Sequence, residues 1–405
     1  MTGPAPRRPA LTRRTAIAAG AATLAMPAVL RAEPAAIKIG LLHPVTGPLA
    51  FSGNQCRTGG TMAIAEINAA GGIKSMGGAK LEAVLGDTQL RPEIAAGLVD
   101  QMSGSVAGFT GCFASGLVLA ATQAAAKYNL PFCVDSGIAD NITTRGLTNT
   151  FRLFPAATPV VEDAVLCLSE INKSAGSPAR SAILVHENSE FGTGTAKVLA
   201  EKLPGVGIKV LDNIAHPTPT RDFSNIVLRI QEAKPDLVIM TNYLNEYILL
   251  ARTLVQQRVK LVALFSVLGG GFGSKFATEQ PQISDNIMDF NNWINPKSKA
   301  GQDFRKKLAA AKVLLTFEVP FGYLAVKLMA DAIEHAGSTD RKKVIDALAN
   351  STFYPDIMPY GPTHFVNGQN QGAHAVGLQI QKGAVKVVWP GAFAEAHANY
   401  PRPKA

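Results

Sequence analysis

His186 and Glu187 begin a heptapeptide, HENSEFG, that starts like the zinc-binding motif of a metalloprotease. That motif needs a second histidine four residues after the first, because both imidazoles must reach the metal from one face of a helix. Glu190 stands at that position, and the peptide follows a strand-like run instead of lying within a helix. We therefore predict no metal site here.

Glycine-rich and serine-containing segments also fall short of catalytic motifs. GTGTAK (192–197) and GGGFGSKF (269–276) complete neither the dinucleotide-binding nor the phosphate-binding pattern, and no G-x-S-x-G elbow occurs. Three serines at strand ends, Ser52, Ser115 and Ser136, have no histidine and aspartate paired with them in the sequence. The sequence therefore predicts neither an enzyme nor a bound cofactor.

The loops after the predicted strands are rich in glycine, serine, alanine and threonine, as in GCFASG, VDSGIAD and HENSEFG. Small residues let backbone amides at helix N-termini approach a ligand closely, and the helix dipole favours an anionic group there. Such loops can hold a small molecule without transforming it. The alternative is that they are only tight turns between strands and helices.

These loops belong to a regular alternation of elements that begins near residue 36. Apolar, β-branched runs such as AIKIGLLH and PDLVIMTN alternate with helical patterns of roughly 10–15 residues, which predicts βαβ units. The alternation restarts after residue 155, and a β-hairpin is predicted at 376–390. We expect an α/β protein with two Rossmann-like lobes and parallel central sheets. A cleft would lie between the lobes, at the carboxyl ends of the strands.

The charge distribution argues against nucleic acid as a partner. The formal net charge of the 405-residue chain is +9, but five arginines and no acid lie within residues 1–32. No basic cluster with interleaved aromatic residues remains in the rest of the chain.

Residues 1–32 are typical of an export signal, with a basic front, an apolar alanine-rich centre and a cleavage site ending at Ala32. Arg13 and Arg14 resemble a twin-arginine signal, whereas Ala16 stands where that signal prefers an aromatic residue, so general secretory export stays open. The apolar run is about 15 residues long, shorter than the roughly 20 that span a bilayer. We expect cleavage and a soluble periplasmic protein.

The four cysteines form no C-x-x-C pair, which disfavours a zinc or thioredoxin-type motif. Cys112 and Cys133 end two successive strand-like runs, so they are the pair to test for a disulfide in an exported protein. Buried free thiols are the alternative.

Seven segments of the chain resemble periplasmic substrate-binding proteins of branched-chain amino acid ABC transporters. They are IKIGLLHPVTGPLAFSG, GGTMAIAEINAAGGI, VLGDTQLRPEIAAGLVDQM, GCFASG, NITTRGLTNTFRLFP, FGTGTA and TPTRDFSNIVLRIQEAKPDLVIMTNY. The resemblance runs from about residue 36 to 390. It implies the type I periplasmic binding protein fold, with two lobes that are joined by a three-crossing hinge and close on a small ligand. Lobe one would hold 36–154 plus 289–360, and lobe two 155–288 plus 361–405.

The resemblance also implies which residues contact the ligand. Lobe one would supply residues from three loops, including a carboxylate-binding serine turn, and lobe two would supply aromatic walls and a glycine. The expected residues are Phe51, Ser52, Ala114, Ser115, Ser136, Gly137, Ile138, Phe191, Tyr243 and Gly270.

Two departures from the family pattern concern the charge of the ligand. Ile138 lacks the hydroxyl that usually holds the ligand, and Gly269 and Gly270 occupy the region where amino acid binders place a glutamate against the ammonium. A buried ammonium without a counter-charge costs several kcal/mol. We therefore expect either a ligand that is not a simple α-amino acid or an acid relocated to the site. The candidates for that acid are Asp135, Glu187 and Glu318.

Together, the residues and the resemblance predict a receptor that delivers a small polar or carboxylate ligand to an ABC permease. A branched-chain amino acid-like molecule, an amide, and an aromatic or aliphatic acid are all compatible. The expected partners are this ligand and the membrane permease subunits, with no nucleic acid, and we expect a monomer. The alternative is a ligand-sensing regulator of the same fold, similar to amide sensors, which would lack an export signal.

Overall fold

The computed structural model describes residues 1–4, 34–272 and 275–403. Almost all of the predicted export signal therefore lies outside the described residues. From Ala35 onward the chain forms one compact unit, and its described residues contain two seven-stranded sheets. No helix in the described part of the chain is both long and apolar enough to cross a bilayer.

The strands carry most of the apolar runs identified in the sequence. In chain order they are β1 (Ile37–His43), β2 (Leu81–Asp87), β3 (Gly108–Gly111), β4 (Phe132–Val134), β5 (Thr150–Arg152), β6 (Ser181–Glu187), β7 (Lys209–His216), β8 (Leu237–Thr241), β9 (Ala263–Val267), β10 (Met288–Asn291), β11 (Phe365–Val366), β12 (Gln369–Asn370), β13 (Val376–Gln381) and β14 (Ala384–Trp389).

The helices connect these strands and cover the sheets. In chain order they are α1 (Ala50–Ala69), α2 (Pro92–Met102), α3 (Ser115–Ala126), α4 (Asn141–Thr144), α5 (Ala157–Ser174), α6 (Glu190–Lys202), α7 (Ser224–Ala233), α8 (Leu244–Gln256), α9 (Phe276–Glu279), α10 (Pro281–Ser284), α11 (Lys299–Ala310), α12 (Glu318–Ala336) and α13 (Arg341–Ala349).

The strand order is β11-β12-β5-β4-β3-β1-β2 in the first sheet and β14-β13-β10-β9-β8-β6-β7 in the second. Most neighbouring strands are parallel, whereas β11 with β12, β10 with β13, and β13 with β14 are antiparallel. Every residue of β8 and of β9 is buried, as expected for parallel strands covered on both faces. The predicted two-lobe α/β architecture is confirmed, with mixed sheets in place of purely parallel ones.

Within the described residues the chain passes between the sheets three times, after β5, after β10 and after β12. The lobe boundaries stay a prediction, but one segment lies elsewhere than the sequence suggested. Arg152 at the end of β5 donates its backbone amide to the Gly368 carbonyl at 2.7 Å and its buried Nε to Gln369 Oε1 at 2.6 Å. Residues 365–370 therefore pair with the first sheet, although the sequence assigned them to lobe two.

Two helices of the first lobe, α1 and α12, pack with their backbones close together. A Cβ atom added to Gly59 would lie 2.0 Å from the Val319 carbonyl oxygen, and one added to Gly322 would lie 1.9 Å from that of Cys56. Glycine is required at this crossing because a larger residue would push the helices apart. The close packing brings the start of α12 against the start of α1.

Candidate functional site

The carboxyl ends of strands from both sheets meet around a cavity of about 40 Å³. Its lining comes from the segments that follow β1, β3, β4, β6, β8, β9 and β10, and from the start of α12. The lining residues are Ser52, Phe113, Ser115, Ser136, Ile138, Phe191, Asn242, Tyr243, Leu244, Leu268, Gly270, Asn291, Asn292, Phe317 and Phe321. This is the edge at which a two-lobed α/β protein is expected to bind a ligand.

The structure brings seven of the ten residues expected from the sequence to this cavity. They are Ser52, Ser115, Ser136, Ile138, Phe191, Tyr243 and Gly270. The other three lie outside the lining. Phe51 is 38% exposed in the first turn of α1, Ala114 precedes α3, and Gly137 directs its carbonyl oxygen to Arg152 Nη1 at 3.0 Å.

A larger surface groove, of about 880 Å³, lies between residues 140–159 and 365–371. None of the ten expected residues lines it. It opens beside β5, β12 and the edge strand β11 of the first sheet and receives no residue of the second sheet's strands. The small cavity between the sheets is therefore the better candidate for a ligand that contacts both lobes.

Aromatic rings from both lobes form one wall of the cavity. The Tyr243 ring lies 5.2 Å from the Phe191 ring and 6.0 Å from the Phe113 ring, between ring centroids. Phe113 follows β3 in the first sheet, whereas Tyr243 follows β8 in the second, so this contact joins the lobes. Phe317 and Phe321, 5.7 Å apart at the start of α12, add a second apolar surface.

Ser115 ties two loops of the first lobe together. Its Oγ accepts hydrogen bonds from the backbone amides of Ile138 and Ala139, both at 3.2 Å. The hydroxyl proton stays available to a ligand, because an oxygen that accepts twice can still donate once.

Ser136 is hydrogen-bonded to a buried group of polar side chains behind the cavity. Its Oγ donates to Asp135 Oδ1 at 3.0 Å, and the other carboxylate oxygen of Asp135 accepts from His43 Nε2 at 2.7 Å. Cys56 lies beside them. Its Sγ, a ring nitrogen of His43 and a carboxylate oxygen of Asp135 all lie within 4.8 Å of one another, as the atoms of a metal site would. Burial raises the pKa of the Cys56 thiol well above its ordinary value, which disfavours the thiolate that metals require.

Ser52 leads to a second buried acid. Its Oγ donates to Glu318 Oε1 at 2.8 Å, and Glu318 Oε2 has no hydrogen-bond partner among the described residues. Burial raises the pKa of Glu318 to about 7, although the hydrogen bond from Ser52 lowers it.

The three candidate acids thus have different environments. Glu187 caps the start of α6, since its carboxylate accepts from the Ser189 amide and hydroxyl, both at 2.7 Å, and from the Gly192 amide at 2.6 Å. Asp135 and Glu318 each lie one hydrogen bond behind a lining serine. Among the described residues, no charged side chain lines the cavity itself.

Asparagines of the second sheet supply polar groups that the sequence analysis missed. Asn291 donates its Nδ2 to Asp289 Oδ2 at 2.9 Å, and burial raises the pKa of Asp289 to about 7. The buried amide of Asn292 has no side-chain hydrogen bond in the described chain, and the same is true of Asn242 Oδ1. The sequence did contain a signal for these asparagines, namely a polar residue at the end of a buried strand, as in the peptides TNY and FNNW.

Gly270 is fixed by packing. Its amide donates to the Asn242 carbonyl at 3.0 Å, and a Cβ atom added to it would lie 2.4 Å from the Leu244 nitrogen. A side chain cannot be added without moving the start of α8.

The sequence of this chain is similar to known proteins over most of its length. A family model described as periplasmic binding protein matches residues 36–383. Among curated proteins, the chain is similar to Leu/Ile/Val-binding protein homolog 7 of Brucella melitensis, with 28% identity over 391 residues, covering 90% of this chain and 94% of the relative. Homolog 8 of Brucella abortus is 26% identical over 392 residues, with 92% and 95% covered.

Solved structures share the fold. The branched-chain amino acid transporter substrate-binding protein LivJ from Streptococcus pneumoniae, in complex with isoleucine, superposes with a TM-score of 0.76 at 22% identity, covering 88% of this chain and all of that one. An ABC transporter solute-binding protein from R. palustris, in complex with benzoate, gives 0.77 at 20% identity, with 90% and 98% covered.

Proposed function

Because the chain belongs to the periplasmic binding protein family, we propose that it is an extracytoplasmic receptor that carries a small solute to the permease of an ABC importer. The observation that carries this proposal is the convergence of seven expected residues, from loops of both sheets, on one cavity. A ligand held there contacts both lobes, so its binding energy favours the closed arrangement.

The size of the cavity supports a hinged mechanism. A water needs about 10–15 Å³ of cavity volume, so 40 Å³ has room for only a few waters. A molecule of amino acid size must therefore enter while the lobes are apart. The three chain crossings between the sheets supply the hinge for that motion.

The lining supports a ligand with an apolar or aromatic body and a small polar head. Phe191 and Tyr243 offer ring faces, and the N-termini of α3, α6 and α8 adjoin the cavity, where their dipoles favour a carboxylate. The bound isoleucine and benzoate of the two structural neighbours both fit this description.

We propose that the ligand is released chemically unchanged. In a hydrolytic triad the histidine must accept the proton of the serine. Here Ser136 donates to Asp135, and His43 binds the far oxygen of the same carboxylate, so the aspartate separates the serine from the base. The serine therefore has no neighbouring imidazole to activate it.

A thermal-shift screen of the full chain with isoleucine, leucine, benzoate, benzamide and urea tests the receptor function. We expect at least one of these solutes to raise the melting temperature and to reduce the radius of gyration in X-ray scattering. Mass spectrometry should recover the bound solute intact. An unchanged melting temperature and scattering profile with all five, or conversion of a solute to a product, would overturn the proposal.

Export to the periplasm is part of the same proposal and depends on residues 1–32. A reporter enzyme fused after residue 36 should be active only in the periplasm. Cytoplasmic retention of that fusion would favour the ligand-sensing regulator instead.

A further inference from the structure

Asn242 lies directly after β8, lines the cavity and is fully buried. Its Nδ2 is 2.5 Å from Nε2 of His216, the last residue of β7. The other side-chain atom, Oδ1, finds no hydrogen-bond partner within the described residues. A buried carbonyl without a partner is costly, so its orientation calls for an explanation.

The hydrogen bonds of His216 fix which way this amide faces. His216 Nδ1 is 2.9 Å from the carbonyl oxygen of Pro217, which can only accept, so Nδ1 carries the ring proton. Burial lowers the pKa of His216, which favours the neutral ring. In that ring Nε2 is an acceptor and takes a hydrogen from the Asn242 amide nitrogen. The carbonyl oxygen of Asn242 is thereby turned away from His216 and stays unpaired, in a residue that lines the cavity.

Two of the serines that line the cavity present further hydrogen-bond acceptors to a ligand. Ser136 donates its proton to Asp135 and Ser52 donates its proton to Glu318, so both hydroxyls offer only lone pairs to a ligand. Ser115 keeps a proton to donate, because its oxygen accepts from two backbone amides. No lysine or arginine lines the cavity in the part of the chain that the structure describes. The unpaired Nδ2 of Asn292 is a donor in the same lining, so a ligand that satisfies the acceptors must bring hydrogen-bond donors of its own.

Building on the receptor function proposed above, we infer that Asn242 is a specificity-determining residue whose carbonyl oxygen accepts a hydrogen bond from an N–H group of the ligand. His216 is a positioning residue that acts by holding the amide of Asn242. The ligand class is then a small molecule with an ammonium or a primary amide next to an apolar body. A solute whose head is only a carboxylate leaves this oxygen unpaired, and sites of this kind discriminate strongly against such analogues.

Two matched pairs of probes test this inference by calorimetry on the full chain. L-Leucine is compared with 4-methylpentanoate, and benzamide with benzoate; only the first member of each pair carries N–H groups. At least one pair should bind to the wild type. Within that pair, we expect the compound with N–H groups to bind at least about tenfold more tightly than the acid. Asn242→Leu should reduce that preference at least about tenfold and leave the acid within about threefold.

His216 variants separate positioning from general packing. His216→Leu should reduce the same preference, because the amide of Asn242 can then turn. His216→Gln, whose side-chain oxygen can accept from Asn242, should restore it to within about threefold of wild type. Asn213→Leu, on the exposed face of β7, is the control and should leave the preference unchanged. A structural role would weaken both members of a pair together, so the ratio is the informative readout.

The outcomes distinguish the two proposals. Binding of a probe with an unchanged preference in Asn242→Leu, or equal weakening of both members, would overturn the role of Asn242 and leave the receptor function intact. Absence of binding by all four probes to the wild type would overturn this inference, and the receptor function would fall as well only if all five solutes of the thermal-shift screen also gave no effect. Nitrogen-15 NMR of His216 gives a check without ligand. It should show the proton on Nδ1, and a proton on Nε2 would contradict the inferred orientation.

Discussion

Ser52 donates a hydrogen bond of 2.8 Å to Glu318, although 266 positions separate them in the sequence. Ser52 lies in the first turn of α1 and lines the cavity, and Glu318 begins α12. The pair therefore places an ionisable group directly behind the cavity. No charged side chain lines the cavity itself among the residues that the structure describes. The protonation state of Glu318 should influence both stability and the binding of charged solutes.

Glu318→Gln should make the free energy of unfolding less dependent on pH. Burial raises the pKa of Glu318 from 4.5 to about 7, so the folded state holds this proton more tightly than the unfolded chain does. The stabilisation is fully present below about pH 4.5 and is lost as the pH rises through about 7. Between about pH 5 and pH 8 the wild type should lose about 2–3 kcal/mol more than the variant in urea unfolding.

Glu232→Gln is the control for this measurement, because Glu232 is exposed on α7. It should keep the wild-type pH profile, to which the buried Asp289 also contributes. Equal pH dependence of the wild type and Glu318→Gln would contradict the assignment.

Tyr243→Ala should weaken ligand binding at least about tenfold, because it removes the ring that contacts both Phe191 and Phe113. Tyr243→Phe keeps the ring and should bind within about threefold of wild type. Phe191→Ala should act in the same direction as Tyr243→Ala. Calorimetry with the best probe of the screen measures the effect. Tyr360→Ala is a matched control, since Tyr243 and Tyr360 are both 7% exposed but Tyr360 does not line the cavity.

Gly270→Ala should destabilise the protein by about 1–3 kcal/mol and weaken binding, since its Cβ would meet the Leu244 nitrogen at 2.4 Å. Gly97→Ala provides the comparison, because Gly97 is exposed in α2 and an added Cβ meets nothing within 4 Å. That substitution should stabilise the helix by up to about 1 kcal/mol. Similar effects of the two substitutions in urea unfolding would argue against the packing role of Gly270.

The thiol content gives a direct test of the cysteines. Cys56, Cys112, Cys133 and Cys167 all lie in the described part of the chain, where they are buried and unbonded. Burial raises the pKa of each thiol, so none should react quickly with a thiol reagent in the folded protein. Unfolding without reductant should expose four reactive thiols. Recovery of only two would show the disulfide that the sequence left open.

The sequence predicted the parts of the site that local patterns carry. Phe191 and Tyr243 each follow a buried strand of the second sheet, so they are found by looking for residues that come soon after the end of a predicted strand. Phe51 and Ser52 were expected to act together in a loop, but α1 begins at Ala50. Neighbouring helical side chains point about 100° apart, so Ser52 faces the cavity and Phe51 does not.

The remaining lining residues depend on contacts that no local pattern contains. Phe317 and Phe321 reach the cavity only because α12 packs on α1 through Gly59 and Gly322. Asn242 was missed because its role depends on His216, which belongs to a neighbouring part of the sheet and orients its amide. The sequence raised Glu318 as a candidate acid but could not place it, since the distance to Ser52 is set by the same helix crossing.

The late return of the chain to each sheet has a consequence for biosynthesis. β5 gains its outer neighbour only from β12, and β10 gains its outer neighbour only from β13. A nascent chain that ends near residue 360 would thus display an unpaired edge in both halves, and open edges invite aggregation. The first sheet cannot be finished until β12, which ends at Asn370, has been made, and the second cannot be finished until β14, which ends at Trp389, has been made. We therefore expect both halves to close late and close together in time, instead of the first folding well before the second.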